Sequence, residues 1–147
     1  MTIHSMGTLQ VDTISPEETV QIAAARMRDH LVGCLVVVDE AQRPVGIVTD
    51  RDLATRVVAA GLDPTEVLVA DAMTAAPQCV RPCDRDDELL RLMQSVPCRR
   101  APVVDEQGRL VALVTLDDVV SVMGRRLSQI GSLVHRESPA ELDTAEV

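Results

Sequence analysis

Residues 37–53 read Val-Val-Asp-Glu-Ala-Gln-Arg-Pro-Val-Gly-Ile-Val-Thr-Asp-Arg-Asp-Leu, and residues 103–119 read Val-Val-Asp-Glu-Gln-Gly-Arg-Leu-Val-Ala-Leu-Val-Thr-Leu-Asp-Asp-Val. No gap is needed to align them. Nine of the seventeen positions are identical, among them Asp39/Asp105, Arg43/Arg109, Thr49/Thr115 and Asp52/Asp118. The same offset of 66 sets Pro16 on Pro82 and Met27 on Met93, while the N-terminal stretch needs a shift of one to set Met6 on Met73. The chain is therefore a unit written twice, and its function has to be one that a pair performs. The repeats are read at 6–66 and 67–130, with 131–147 as a flexible, acidic tail.

Each copy reads β-α-β-β-α. A short strand over 9–14 leads to Ser15-Pro16-Glu17-Glu18, a helix start with a capping hydroxyl, a proline and two acids. Val20, Ala23, Ala24 and Met27 recur at helical spacing, giving a helix over 16–29. Leu35 to Val38 is a continuous apolar run rich in β-branched residues, a strand buried on both faces. Val45 to Val48 is its partner across a turn, and a helix runs from Thr49 to the stop at Gly61. The second copy repeats the order, with strands at 78–80, 101–104 and 110–114 and a last helix over 116–127. The expected fold is α/β (α+β): two pseudo-symmetric units packed through their sheets. Each half alone buries too little surface for safe stability.

Composition excludes several functions. A net charge of −9 argues against a nucleic-acid binder, which needs a basic face. No apolar run approaches the ~18 to 20 residues of a membrane span, and the N-terminus lacks a signal peptide's order. A cytoplasmic protein is expected. No Phe, Tyr or Trp is present, so a bound base has to lie between aliphatic side chains. There is no lysine for Schiff-base or phosphate-loop chemistry, and all 14 basic residues are Arg, the better fork for phosphate oxygens. The cysteines, Cys34, Cys79, Cys83 and Cys98, occupy different positions in the two copies. With only three His, no metal site is expected and free thiols are the plain reading. No nucleophile has a neighbouring base, so no catalytic residue is expected, and no cofactor is required.

Both copies keep the order strand, Thr, two residues, Asp, helix. A helix N-terminus offers free N–H groups and a partial positive charge to a phosphate, and a carboxylate in the first turn can accept from a vicinal diol, as in dinucleotide folds. The same spacing is close to a capping box, which ordinarily uses Glu or Gln. The residues alone leave both readings open.

The order V-V-D-E-x-x-R-x-V-G-I-V-T-D-R-D-L, followed by R-R-A-P-V-V-D-E-x-G-R-L-V-A-L-V-T-L-D-D-V, resembles the tandem CBS domain, or Bateman module, over roughly residues 6–127. With AAGLDP at 59–64, it is similar to small stand-alone bacterial CBS pairs. The resemblance implies a regulatory module for an adenosyl ligand (AMP, ADP, ATP, NAD or S-adenosylmethionine) that acts on a separate, unidentified protein. A ligand-free dimerisation or cysteine-based redox module is the alternative. The family motif falls on Gly46 to Asp52 and again on Ala112 to Asp118. The resemblance implies Thr49 and Thr115 as phosphate or ribose contacts and Asp52 and Asp118 as ribose contacts. Backbone groups of Cys34, Leu35 and Val36 and of Arg100, Ala101 and Pro102 would meet the adenine edge. Ala112 in place of the motif glycine puts a methyl where a ligand comes close. Asp50 and Arg51 at the first site against Leu116 and Asp117 at the second imply unequal sites, the first stronger. Arg99 and Arg100 are further phosphate candidates, and Arg56 is read as a surface residue. A homodimer is expected through Val57, Val58, Val119, Val120, Val122 and Met123.

Overall fold

β-branched side chains crowd a helix but pack well on a pleated surface, and the valine-rich runs extend accordingly. The computed structural model describes residues 2–3, 6–96 and 98–137. In chain order its elements are β1 (Thr13–Ile14), α1 (Val20–His30), β2 (Cys34–Val38), β3 (Pro44–Thr49), α2 (Asp50–Asp52), α3 (Val69–Ala72), β4 (Thr74–Ala75), α4 (Asp86–Ser95), β5 (Arg100–Val104), β6 (Leu110–Thr115) and α5 (Leu116–Glu137). A π-helical stretch, Leu53–Val58, continues α2. The first sheet has the order β1-β2-β3-β4, with β1 parallel to β2 and the other pairs antiparallel. In the second unit β5 and β6 are flanked by single bridges, Val80 parallel to Val103 and Thr8 antiparallel to Leu113. These copy Ile14–Val37 and Ile47–Thr74 at the repeat offset.

The flanking segments are exchanged. β4 lies between the repeats yet closes the first sheet, whereas residues 2–3 and 6–8 stand at the head of the chain yet close the second. Thr2 bridges Arg85, Ile3 N–H donates to Asp84 O at 3.0 Å, and Thr8 N–H donates to Leu113 O at 2.9 Å. The matching contacts on the first unit are Leu68 with Thr19 and Val69 N–H to Glu18 O at 2.9 Å. Packing therefore does not follow boundaries at 6–66 and 67–130. The one-residue shift also disappears: Thr8 stands where Thr74 does, Gly7 on Met73 and Met6 on Ala72.

That register explains the difference between Gly46 and Ala112. A Cβ on Gly46 would lie 2.2 Å from Met73 Sδ and 2.9 Å from its Cγ. In the second unit the methionine's place is taken by Gly7, whose own Cβ position is 3.4 Å from the Ala112 methyl. Bulk has crossed from one side of the pair to the other, so the Ala112 methyl fills space against Gly7 instead of pressing on a ligand.

Each unit has its own core. Ile14, Leu35, Val37, Val48 and Val57 belong to one, and Ile3, Val80, Leu89, Val103 and Val114 to the other. The opposite sheet faces join them. Val36 and Pro102 are buried on those faces, and Leu110 N–H donates to Gln42 O at 2.9 Å between the two hairpin turns.

Several elements differ from the sequence reading. Glu18 accepts from Ser15 N–H at 2.9 Å and pairs with Arg26 at 2.8 Å, which holds 15–18 as a turn. Thr19 then caps α1, accepting from Ile22 N–H. The strand at 78–80 reduces to the bridge at Val80. α5 runs ten residues past Leu127, so 131–137 of the expected tail are helix; 138–147 lie outside the described residues. The π-helical stretch adds one residue to the first helix, so buried Val57 matches buried Val122 at an offset of 65. Val57, Val119 and Val122 serve their own cores, leaving Val58, Val120 and Met123 as the exposed half of the expected dimer surface.

The hairpin turns account for two of the repeated identities. Asp39 accepts from Arg43 N–H and Nε at 2.9 Å each, and Asp105 from Arg109 N–H and Nε at 2.8 Å each. The backbone N–H in each pair is the main reason both carboxyls sit below the usual aspartate range. Gln42 occupies the left-handed region at φ 61°, where its mate Gly108 has φ 79°. Gln42→Gly is expected to stabilise the chain by about 0.5–1 kcal/mol, the left-handed penalty less the glycine's unfolded-state entropy. A urea midpoint that falls instead would show that Gln42 contributes contacts worth more than the strain.

Candidate functional site

Both Thr-x-x-Asp segments cap their helices. Thr49 Oγ1 accepts from Asp52 N–H at 3.2 Å and donates to Asp52 Oδ2 at 2.9 Å, and the same Oδ2 accepts from Thr49 N–H at 2.9 Å. Thr115 and Asp118 make the same three bonds at 3.2, 2.7 and 2.8 Å. The capping reading is thus realised in both copies, with Asp in the role of Glu.

One of the caps also faces a cleft. A cavity of about 250 Å³ opens between the units, lined by Ile47, Thr49, Asp52, Thr74, Cys98, Arg99 and Arg100. Its twofold mate, about 150 Å³, is lined by Thr8, Gln10, Val11, Asp12, Val32, Cys34 and Leu113. The repeat offset relates Ile47 to Leu113, Thr74 to Thr8, Cys98 to Val32 and Arg100 to Cys34. The cavities differ in charge, since the first has Arg99 and Arg100 where the second has Gly33 and Cys34. A larger cavity of about 410 Å³ lies at the outer edge of the first unit. It is walled by Glu17, Glu18, Asp39 and Glu40, and its one arginine, Arg26, is tied to Glu18, so it suits no anion.

In the first cleft the hydroxyl proton of Thr49 is committed to Asp52, which leaves Thr49 able only to accept. Asp52 Oδ1 is 3.4 Å from the Arg56 guanidinium. Arg56 is at the surface, as expected, but it also donates to Ala72 O at 2.8 Å and Thr74 Oγ1 at 3.1 Å, so it fastens the exchanged segment. At the offset of 65 its mate in the second unit is Ser121, so Asp118 has no such partner.

The other sequence candidates separate. Thr115 and Asp118 lie outside the wall of the second cleft. Asp50 and Arg51 are exposed and line neither cleft. Asp50 N–H donates to Gly33 O at 3.1 Å, and its carboxylate lies over Gly33, beside Cys34. Leu35 and Ala101 are core side chains. Val36 N–H donates to Asp12 O and Pro102 O accepts from Val80 N–H, so those backbone groups are occupied. Of the two strand triples only Cys34 and Arg100, at their strand starts, reach clefts, and Arg99 lines the first beside Arg100. Cys34 and Arg100 touch each other; burial pushes the Cys34 thiol up, and the Arg100 guanidinium opposes that. Ile47, Thr74 and Cys98 were absent from the sequence candidates, although the offset that pairs Thr8 with Thr74 was there to find them.

All four cysteines are free thiols. Among the described residues no three His, Cys, Asp or Glu side chains group as a metal site, and no helix is long and apolar enough to cross a membrane.

The CBS domain model matches residues 5–59 and again 69–125. An uncharacterized protein of Methanopyrus kandleri is 36% identical over 122 residues, 83% of this chain and 62% of that protein's length. The chain thus spans less than two thirds of that relative. A crystal structure of Hypoxic Response Protein I with two coordinated zinc ions is similar at TM-score 0.74 and 32% identity, over 82% of this chain and 98% of that one. The CBS domain pair of the protein MJ0100, in complex with 5′-methylthioadenosine and S-adenosyl-L-methionine, is similar in fold at TM-score 0.76 and 23% identity, over 86% and 98%. Two matches to one domain, over both halves of a pseudo-symmetric pair, place the chain in the CBS-domain family as a tandem CBS protein.

Proposed function

We propose that this chain is a sensor module that takes an adenine nucleotide (AMP, ADP, ATP or NAD) into the first cleft, performs no chemistry on it, and passes its occupancy to a separate protein. The observation that carries this reading is the charge difference between the clefts. The Thr49–Asp52 cap faces Arg99 and Arg100 across the first, whereas the charged group lining the second is Asp12. Asp52 accepts from the ribose diol, as acids do in dinucleotide sites, and Thr49 accepts beside it. The two guanidiniums supply the forks that phosphate oxygens need. Adenine lies against Ile47 and its aliphatic neighbours in a chain without aromatics. The adenosyl ligands named for the MJ0100 pair support the ligand class.

The first site is the stronger one, in the direction the sequence suggests, but other residues are responsible. Arg51 lines neither cleft, and Asp117 faces Arg99 at 3.6 Å, an exposed pair of little strength. Titration calorimetry with ATP, AMP and adenosine tests the reading. A hydrogen bond to a charged group is worth about 1.5–3 kcal/mol, so Arg100→Ala is expected to weaken ATP about tenfold or more and adenosine far less. No binding of any of the three at millimolar concentration would sink the proposal. Equal losses for ATP and adenosine would make Arg100 a structural residue.

A further inference from the structure

The two carboxylate oxygens of Asp52 are held differently. Oδ2 is taken twice, by Thr49 N–H and by the Thr49 hydroxyl, at 2.9 Å each. Oδ1 is left to meet a ligand, and the cation behind it is Arg56 at 3.4 Å. Arg56 does not line the first cleft, but Asp52 and Thr74 do. Its guanidinium donates to Thr74 Oγ1 at 3.1 Å and to Ala72 O at 2.8 Å. One side chain outside the cleft thus ties together two of its walls, α2 and β4.

The second unit shows that the fold does not need this arginine. At the offset of 65 its place is held by Ser121. The segment that matches 72–74 is seated there by backbone bonds, Thr8 N–H donating to Leu113 O at 2.9 Å and Leu113 N–H to Thr8 O at 3.1 Å. Asp118 makes the same cap but lies outside the wall of its cleft. Arg56 also lies inside the π-helical stretch Leu53–Val58, a rare geometry that recurs at functional sites. The arginine, the extra helical residue and the cleft-facing carboxylate are three departures from repeat symmetry. All three fall in one unit, beside the cleft that carries Arg99 and Arg100.

We propose that Arg56 is a positioning residue for the sugar end of the first cleft, holding Asp52 Oδ1 where it accepts from the ribose diol. The inference rests on the nucleotide reading of that cleft. With Oδ2 pinned on Thr49, the carboxylate can still swing about that oxygen. A cation behind Oδ1 stops the swing and leaves a second lone pair of that oxygen facing the ligand. An acceptor set in advance favours binding, because the ligand does not have to order it.

Such a role confines the loss to the diol. Titration calorimetry with ATP and 2′,3′-dideoxy-ATP separates it from a phosphate contact, since both carry the same triphosphate. The wild type is expected to prefer ATP about tenfold or more, as hydrogen bonds to a charged acceptor contribute. Arg56→Gln keeps a donor for Ala72 O and removes the cation. It is expected to keep a cooperative melt, to cut the preference about threefold or more, and to bind dideoxy-ATP as the wild type does. Arg56→Lys, which returns a cation opposite Oδ1, is expected to fall between the two, and it gives the same reading if Arg56→Gln does not fold. An unchanged preference in Arg56→Gln overturns the proposal. So does an equal loss for both nucleotides, which would make Arg56 a fastener of 72–74 or a phosphate contact. A wild type that binds both equally also overturns it and leaves the nucleotide reading standing. A wild type that binds neither removes that reading and this inference with it.

Discussion

Asp52→Ala is expected to lower the melting temperature of the free chain by a few degrees and to abolish the stabilisation given by AMP. The two losses have different origins. Two of the three hydrogen bonds in the Thr49 cap end on the Asp52 carboxylate; losing a cap costs about 1 kcal/mol, or roughly 2–4 °C in a chain near this size. AMP at ~100 times its dissociation constant contributes about 2.7 kcal/mol more. Internal symmetry supplies the control. Asp118→Ala removes the two matching carboxylate bonds from α5, so it should cost the free chain nearly as much, less the Arg56 pair that only Asp52 makes, yet the AMP shift should survive. Equal AMP shifts in both variants would reduce Asp52 to a helix cap.

Gly46→Ala is the second large effect. Met73 Sδ and Cγ occupy the space a Cβ needs, and forcing a methyl into a packed site costs about 1–3 kcal/mol. Met73→Gly alone leaves a gap against the first core and is also destabilising. Together they rebuild the pairing that Ala112 and Gly7 already make. Urea denaturation of both single variants and the double should therefore show a double loss smaller than the sum, by about 1 kcal/mol or more. Strictly additive losses would mean that the two positions do not share this space.

The hairpins and the order of elements were legible because each rests on local chemistry written twice. Valine runs extend, Asp39 and Asp105 lock their turns, and Thr49 and Thr115 cap their helices. The site was legible only in part for the same reason. The repeated identities are explained by the fold itself, and the arginines that separate the two clefts lie where the copies differ. Residues 2–3 and 6–8 hid the role they share with 68–69 and 72–74 because sterically alike positions hold unlike residues: Ile3 with Val69, Met6 with Ala72, Gly7 with Met73. The extra residue of the π-helical stretch shifts the burial pattern by one without any gap in the preceding alignment. α5 was read too short because its mate in the first repeat stops at Gly61, although its 3.5-residue period continues to Val134 in plain sequence.

The exchange of leading segments also sets an order in time. Residues 2–3 and 6–8 are made before their seat, which is formed by Asp84, Arg85 and Leu113. The first unit can close once residue 75 has emerged. That leading segment must wait, apolar Ile3 and Met6 included, until residue 113 has emerged. Such late, distant pairings slow folding and leave sticky surface open meanwhile. A short N-terminal truncation should therefore damage the second unit, whose repeat begins some sixty residues away, and leave the first largely intact.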